Sequence, residues 1–284
     1  MAIYKPTDKT ESFKGRRVLV TGGGRGIGYA IAMAMAERGA SIAVSGRTTS
    51  QLEQAVKDFK EVGVSAYALE VDLIDVAQAQ QLVSRATDAM GGLDILVNNA
   101  GGWGHTPGAV GQILEATVEG FDYVFDLNVR SPLFATIAAA KVMIDQGLGG
   151  CILNIGSVDG LAPAPTEALY ASAKSASISL TTTLAYEFGT HGIRVNAIAP
   201  GVIETEMTAP WLSSPEDRVD RASFYPLNRI GRTEDISSAA LYLCSDEAGW
   251  VTGVTLPVCG GQYATSDIFR WVRSHNEVPA SKRI

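Results

Sequence analysis

The chain has 284 residues, 46% hydrophobic and 19% charged, enough to bury one sizeable core within a single α/β domain. Its net charge of −7 argues against nucleic acid as a main partner, because a phosphate backbone needs a basic surface. Residues 1–14 lack the apolar core of a signal peptide, no run approaches ~20 apolar residues, and Cys151, Cys244 and Cys259 have no metal-ligand spacing, so a cytoplasmic protein with no membrane partner and no metal is expected.

In chain order, β-rich apolar runs fall at 17–21, 41–45, 65–71, 93–98, 150–156, 193–199 and 254–258. Helical patterns fall between them at 27–38, 49–61, 75–90, 117–146, 168–189 and 233–245. This alternation predicts one doubly wound α/β domain over 1–284, an about seven-stranded parallel sheet with helices on both faces. Runs such as Ile95-Leu96-Val97 and Cys151-Ile152-Leu153 are apolar throughout, as in strands covered on both sides. Residues 202–232 break the pattern, contain Pro210, Pro215 and Pro226, and read as a substrate lid. Outside the alternation lie an N-terminal extension, 1–14, and a C-terminal tail, 264–284, whose Ile268, Phe269, Trp271 and Val272 fit packing on a neighbouring subunit.

Two local patterns carry chemistry. Residues 17–28 run from an apolar strand through a glycine-rich turn (Gly22, Gly24, Arg25, Gly26) into a helix beginning at Ile27 and Gly28. Free N–H groups and the helix dipole make such a junction an anion site. The spacing is Gly-x-x-x-Gly-x-Gly rather than the commoner Gly-x-Gly-x-x-Gly. Further on, Tyr170 and Lys174 stand four residues apart, one turn of a helix, with Ser157 thirteen residues before the tyrosine. A lysine ammonium there lowers a phenol pKa that is ordinarily about 10. The phenol can then exchange a proton with a carbonyl or alcohol oxygen while the serine hydroxyl holds the same oxygen.

With these patterns the chain resembles the short-chain dehydrogenase/reductase family. The matching segments are residues 21–28, Asp72, Asn98-Asn99-Ala100-Gly101, Asn128, Ser157, Tyr170-Ala-Ser-Ala-Lys174, and Pro200-Gly201 followed by Thr205; they span about 13–262 in the family's order. The resemblance implies a Rossmann fold and a hydride transfer between a nicotinamide and a ketone or secondary alcohol. It implies Tyr170 as acid or base, Lys174 on the nicotinamide ribose, Ser157 on the carbonyl, and Asn128 holding a water that leads to Lys174. Asp72 would meet the adenine amino group, with Leu73 beside it. Asn99, Ala100 and Gly101 would flank the adenine ribose, although Asn98 and Asn99 are equally suited to stabilising a turn. Pro200, Gly201, Ile203 and Thr205 would frame the nicotinamide, with Thr205 on its carboxamide.

The end of the second strand reads Val44-Ser45-Gly46-Arg47, with glycine where NAD-preferring relatives carry aspartate. Arg47 and Arg25, with no carboxylate nearby, fit a ribose 2′-phosphate, so NADP(H) is expected in preference to NAD(H). Substrate-pocket candidates are Trp103, His105, Asp159, Glu167, Trp211 and Tyr263, and the aromatic residues favour a hydrophobic or cyclic substrate. A 3-oxoacyl thioester is the alternative substrate, with Arg218, Arg221 and Arg229 for its phosphopantetheine arm. The same dinucleotide motifs would also serve an NADP-binding sensor without turnover, or NADP held as a prosthetic group in epimerisation or dehydration. The family's usual last-strand Val-Asp-Gly-Gly is here Val258-Cys259-Gly260-Gly261. The resemblance further implies a homotetramer, or a homodimer, through the helices bearing Asn128 and Tyr170. Ala138, Ala139 and Ala140 on the first, and Ala176, Leu180 and Leu184 on the second, offer small, apolar faces equally suited to subunit contact and to the intramolecular core.

Overall fold

In the computed structural model, which describes residues 12–104 and 106–264, the seven apolar runs become seven parallel strands. They are β1 (Arg17–Thr21), β2 (Ser41–Gly46), β3 (Ala66–Glu70), β4 (Ile95–Asn98), β5 (Gly150–Ile155), β6 (Ile193–Pro200) and β7 (Thr255–Val258). The sheet order is β3-β2-β1-β4-β5-β6-β7. The winding therefore reverses between β1 and β4, which opens a crevice at their carboxyl ends.

Side chains alternate across the sheet with a period of two, so each strand feeds two cores. Val18, Val20, Ile42, Val44, Val97 and Leu153 meet α1 (Gly26–Ala36), α2 (Thr49–Glu61) and α8 (Thr233–Cys244). Leu19, Ala43, Leu96, Ile152 and Val195 point the other way. They meet α3 (Val76–Met90), α5 (Ser131–Gln146) and α6 (Ala168–Gly189). A buried polar chain crosses this second layer. Asn98 Nδ2 donates to Thr136 Oγ1 and to Asn154 Oδ1, and Asn154 Nδ2 donates to Thr181 Oγ1, each at 2.9 Å. Asn98 is thus a structural tie between β4, β5 and their helices, which decides between its two sequence readings.

One expectation needs correction. The single helix over 117–146 is instead α4 (Val118–Phe125), a π-helical turn (Asp126–Arg130) and α5. The cause is Asn128: its Nδ2 donates to the Val124 carbonyl at 2.8 Å, the acceptor that its own backbone N–H would use in an α-helix. Residues 202–232, between β6 and α8, contain α7 (Pro215–Ser223), opened by a capping box between Ser214 and Asp217 with Pro215 in the first turn. Most of the candidate contact positions on α5 and α6 lie in or against the core. Ala139, Ala140 and Leu184 belong to the core, and Ala138 and Leu180 pack against it, because these small residues let α5 and α6 lie close to the sheet.

Val118–Gln146 is the one helical run among the described residues long and apolar enough to cross a membrane. Its Ala135, Thr136, Ala139, Ala140 and Met143 are buried, so its apolar face is accounted for by the sheet and α3.

Candidate active site

One cavity of about 720 Å³ runs along the carboxyl edge of the sheet. Its lining comes from the turns after β1 through β6 and from the 202–232 segment, so widely separated stretches converge on one crevice. Gly22, Gly24, Arg25, Gly26, Ile27, Arg47, Asp72, Leu73, Asn99, Ala100, Gly101, Pro200, Gly201, Ile203 and Thr205 all line it, as do Ser157, Tyr170 and Lys174.

At one end sits the glycine-rich turn. The first turn of α1 holds no acidic residue, and Arg25 at its N-cap forms no side-chain cap, so the helix N–H groups have no side-chain anion of their own. That geometry fits a pyrophosphate. Gly28 lies behind the turn rather than in the cavity lining. A Cβ there would stand 2.4 Å from both Asn99 Nδ2 and the Gly22 carbonyl oxygen. Asn99 fastens the turn to β4: its backbone N–H donates to Thr21 Oγ1 at 3.0 Å and its Nδ2 to the Thr21 carbonyl at 2.9 Å. Thr205 faces Gly26 from the opposite bank. Asp72 Oδ1 accepts the Ile74 N–H, shaping the turn after β3.

Beyond the end of β2, Arg47 is exposed. Across the sheet from Gly46 lies Glu70, whose carboxylate accepts from Thr49 Oγ1 and lies outside the cavity lining. Arg25 departs from expectation: it forms an ion pair with Glu206 on the lid segment, with both side chains more than half exposed. The two side chains meet across the cavity mouth, so a carboxylate already engages the Arg25 guanidinium.

At the other end lies the catalytic group expected from the sequence. Tyr170, in the first turn of α6, and Lys174, one turn later, are both buried. Lys174 Nζ donates to the Ile155 carbonyl at 2.8 Å and lies 5.6 Å from the Tyr170 ring centre. Burial lowers the Lys174 pKa to about 8. Tyr170 moves opposite to expectation, because burial and the Asp159 charge raise its pKa above the ordinary 10, against the opposing hydrogen bond with Ser157. Here burial and the carboxylate charges outweigh the Ser157 hydrogen bond. Ser157 Oγ donates to Asp159 Oδ2 at 2.8 Å and accepts the Asp159 N–H at 3.1 Å.

Asn128 is buried and fully engaged. Its Nδ2 also donates to the Gly102 carbonyl at 2.7 Å, and its Oδ1 accepts the Gly102 N–H at 3.0 Å. Gly101 threads between Asn128 and Lys174, where a Cβ would lie 2.8 Å from Asn128 Oδ1 and 3.0 Å from Lys174 Nζ. The asparagine therefore clamps the strand-end loop beside Lys174.

Trp103, Asp159, Glu167 and Trp211 line the outer part of the cavity. Trp103 meets Tyr170 edge-on at 5.3 Å and stacks on Trp211 at 5.3 Å and 23°. Tyr263 is half exposed and outside the lining. His105 and residues 265–284 of the tail lie outside the described residues. Arg221, named in the sequence only for an acyl-thioester arm, lines the cavity, and Glu206 and Met207, which did not stand out in the sequence, line it as well.

A family profile described as Enoyl-(Acyl carrier protein) reductase matches residues 22–262. The chain is 38% identical over 250 residues to a 3alpha-hydroxysteroid dehydrogenase of Mediterraneibacter gnavus, covering 87% of this chain and 96% of that one. It is 33% identical over 257 residues to a glucose 1-dehydrogenase of Gluconobacter oxydans, covering 90% and 95%. Its fold matches the structure of a short-chain type dehydrogenase/reductase from Mycobacterium marinum with a TM-score of 0.82 and 33% identity, covering 90% and 99%. The chain belongs to the short-chain dehydrogenase/reductase family, Rossmann-fold oxidoreductases that use a nicotinamide dinucleotide on the CH–OH or C=O group of a small molecule.

Proposed function

We propose that the protein is an NADP(H)-dependent oxidoreductase of a ketone or secondary alcohol, with Ser157, Tyr170 and Lys174 acting on the substrate oxygen and Asn128 holding the loop beside them. The observation that carries this reading is the convergence of Tyr170, Lys174 and Ser157 on the cavity that also contains the uncapped N-terminus of α1. A bound nicotinamide supplies or accepts the hydride. Tyr170, its proton held by burial, donates it to the carbonyl oxygen in reduction. In the reverse direction it takes that proton, helped by the Lys174 ammonium. Ser157 holds the same oxygen and so favours the charge that develops on it.

Preference for NADP(H) rests on Arg47, exposed at the end of β2, and on the lack of a carboxylate at Gly46. A cyclic substrate suits the flat wall of Trp103 and Trp211. Of the three arginines named for the acyl-thioester alternative, Arg218 pairs with Glu204 and Arg229 with Asp235, which leaves Arg221 in the cavity lining as its one remaining support. A homotetramer in a reducing, cytoplasmic compartment belongs to the same reading, supported by family membership and by three free cysteines.

The deciding experiment follows NADPH absorbance with a panel of ketones and, in reverse, NADP⁺ with secondary alcohols. Tyr170→Phe should bind NADPH as the parent does and turn over nothing in the panel. Undiminished turnover in that variant would remove Tyr170 from the chemistry.

A further inference from the structure

The outer cavity combines features that an apolar ketone leaves unused. Asp159 sits one hydrogen bond from Ser157, and therefore beside the position of the reacting oxygen. Glu167, three residues before Tyr170 and half-buried, turns its carboxylate to the same cavity and accepts no hydrogen bond from the described residues. Burial raises the Glu167 pKa and the Asp159 charge adds to it, while Arg221 opposes it. Both carboxylates also bear on Tyr170. The indoles of Trp103 and Trp211, stacked on each other, line the same cavity. The Arg221 guanidinium lies 5.9 Å from the Trp211 ring centre and 5.8 Å from that of Phe224.

Burying an acceptor without a donor is costly, so the bound molecule must bring an O–H or N–H group to Glu167, while Asp159, which already accepts from Ser157, has room to accept a further one. An apolar alcohol brings one, already assigned to Tyr170 and Ser157. An anion would meet two carboxylates. A substrate ammonium would suit the carboxylates, but Arg221 already occupies the cationic place over Trp211 and offsets Glu167. Neutral hydroxyl groups on a ring or chain whose C–H face lies against an indole answer every feature.

We propose that the substrate is an uncharged polyhydroxy compound, a monosaccharide or polyol, oxidised or reduced at a carbon that bears a free hydroxyl on its neighbour. The neighbouring hydroxyl donates to Asp159, a further one donates to Glu167, and the C–H face packs on Trp103. The reaction balances as a plain two-electron exchange: the C–H and O–H bonds of the carbinol break, C=O forms, the hydride goes to the dinucleotide and the proton to Tyr170. This rests on the oxidoreductase reading above.

A matched pair of probes separates the two claims. NADP⁺ reduction is measured with cyclohexanol and with cyclohexane-1,2-diol, then with a series of aldoses, alditols, amino alcohols, hydroxysteroids and a 3-hydroxyacyl thioester. The diol and at least one aldose or alditol should exceed cyclohexanol in kcat/KM by roughly 10-fold or more. In Glu167→Gln and Asp159→Asn the diol-to-cyclohexanol ratio should fall towards one, chiefly through the KM of the diol. Equal use of both probes, or best use of a steroid, amine or thioester, overturns the polyol assignment and leaves the oxidoreductase intact. Where turnover is slow, thermal shift of the NADP⁺-loaded protein decides. Stabilisation by polyols that weakens in Glu167→Gln supports the assignment, and no stabilisation by any polyol overturns it. Failure to bind NADPH or NADH at all would sink the oxidoreductase reading instead.

Discussion

The two ends of the cavity are built differently. At the dinucleotide end the groups facing the cavity are mostly backbone: the uncapped N–H groups of α1 and the turns after β1, β3 and β4. At the substrate end they are side chains from three separate segments: Trp103 after β4, Asp159 and Glu167 between β5 and α6, and Trp211 in the 202–232 stretch. A backbone site depends on glycine spacing and strand order, and changes little when a surface side chain changes. A side-chain site can be rewritten one residue at a time while the sheet beneath it stays put. The dinucleotide end therefore speaks for the reaction and the substrate end for the choice of molecule. Substitutions at the seam between them should separate these contributions.

Tyr170 stands at that seam, and its loss should have the largest effect. Tyr170→Phe removes the proton donor placed on the substrate oxygen, so kcat should fall by roughly 10³-fold, within the range of general acid catalysis, while NADPH affinity measured by fluorescence stays near the parent value. Loss of affinity in step with kcat would show that the two ends are not separable.

Lys174 gives a pH-dependent test. Its folded pKa of about 8 lies below its ordinary 10.5. Between those values the unfolded chain holds a proton that the folded chain has released, so this group makes stability rise with pH across that window. The gain relative to Lys174→Met should total roughly 3 kcal/mol from pH 8 to 10.5. Denaturant midpoints of both proteins at several pH values measure it, and a constant difference would show that burial does not strain the ammonium. Gly28→Ala should come next, at about 2 kcal/mol of stability, because the added methyl meets Asn99 and the Gly22 carbonyl. Thermal melting would register this together with weaker dinucleotide binding, and an unchanged Tm would mean that the turn relaxes freely.

How far the sequence could be read follows the same division. Strand bounds came within two residues: the central runs are apolar on both faces, as covered parallel strands require, and only β3 and β7 carry exposed positions. Tyr170, Lys174 and Ser157 were legible because helix periodicity and family order place them together. What escaped depends on three-dimensional competition. The π-helical turn exists because one asparagine amide takes the Val124 carbonyl, which no periodicity reports. The helix α7 is short and polar, and only its capping box marks it. The upward shift of Tyr170 required knowing its burial and the nearness of Asp159, and Arg25 was assigned to a phosphate because Glu206 is distant in sequence.

At the dinucleotide end, charge sets the smaller effects. Arg47→Asp should change the NADPH-to-NADH ratio of kcat/KM by roughly tenfold towards NADH, less at high salt because Arg47 is exposed. A ratio unchanged by the substitution would remove Arg47 from the 2′-phosphate site.

Glu206→Gln probes the remaining arginine. The Arg25–Glu206 pair is more than half exposed on both sides, so breaking it should alter stability by less than about 1 kcal/mol. It frees a guanidinium at the N-cap of α1, beside the uncapped N–H groups. If Arg25 can reach the 2′-phosphate, NADPH should bind roughly two- to threefold more tightly in Glu206→Gln, with NADH unchanged and Arg25→Ala cancelling the gain. Equal tightening of both dinucleotides would place Arg25 on the shared pyrophosphate instead. No change in either would leave it as a lid clasp, with discrimination resting on Arg47 alone.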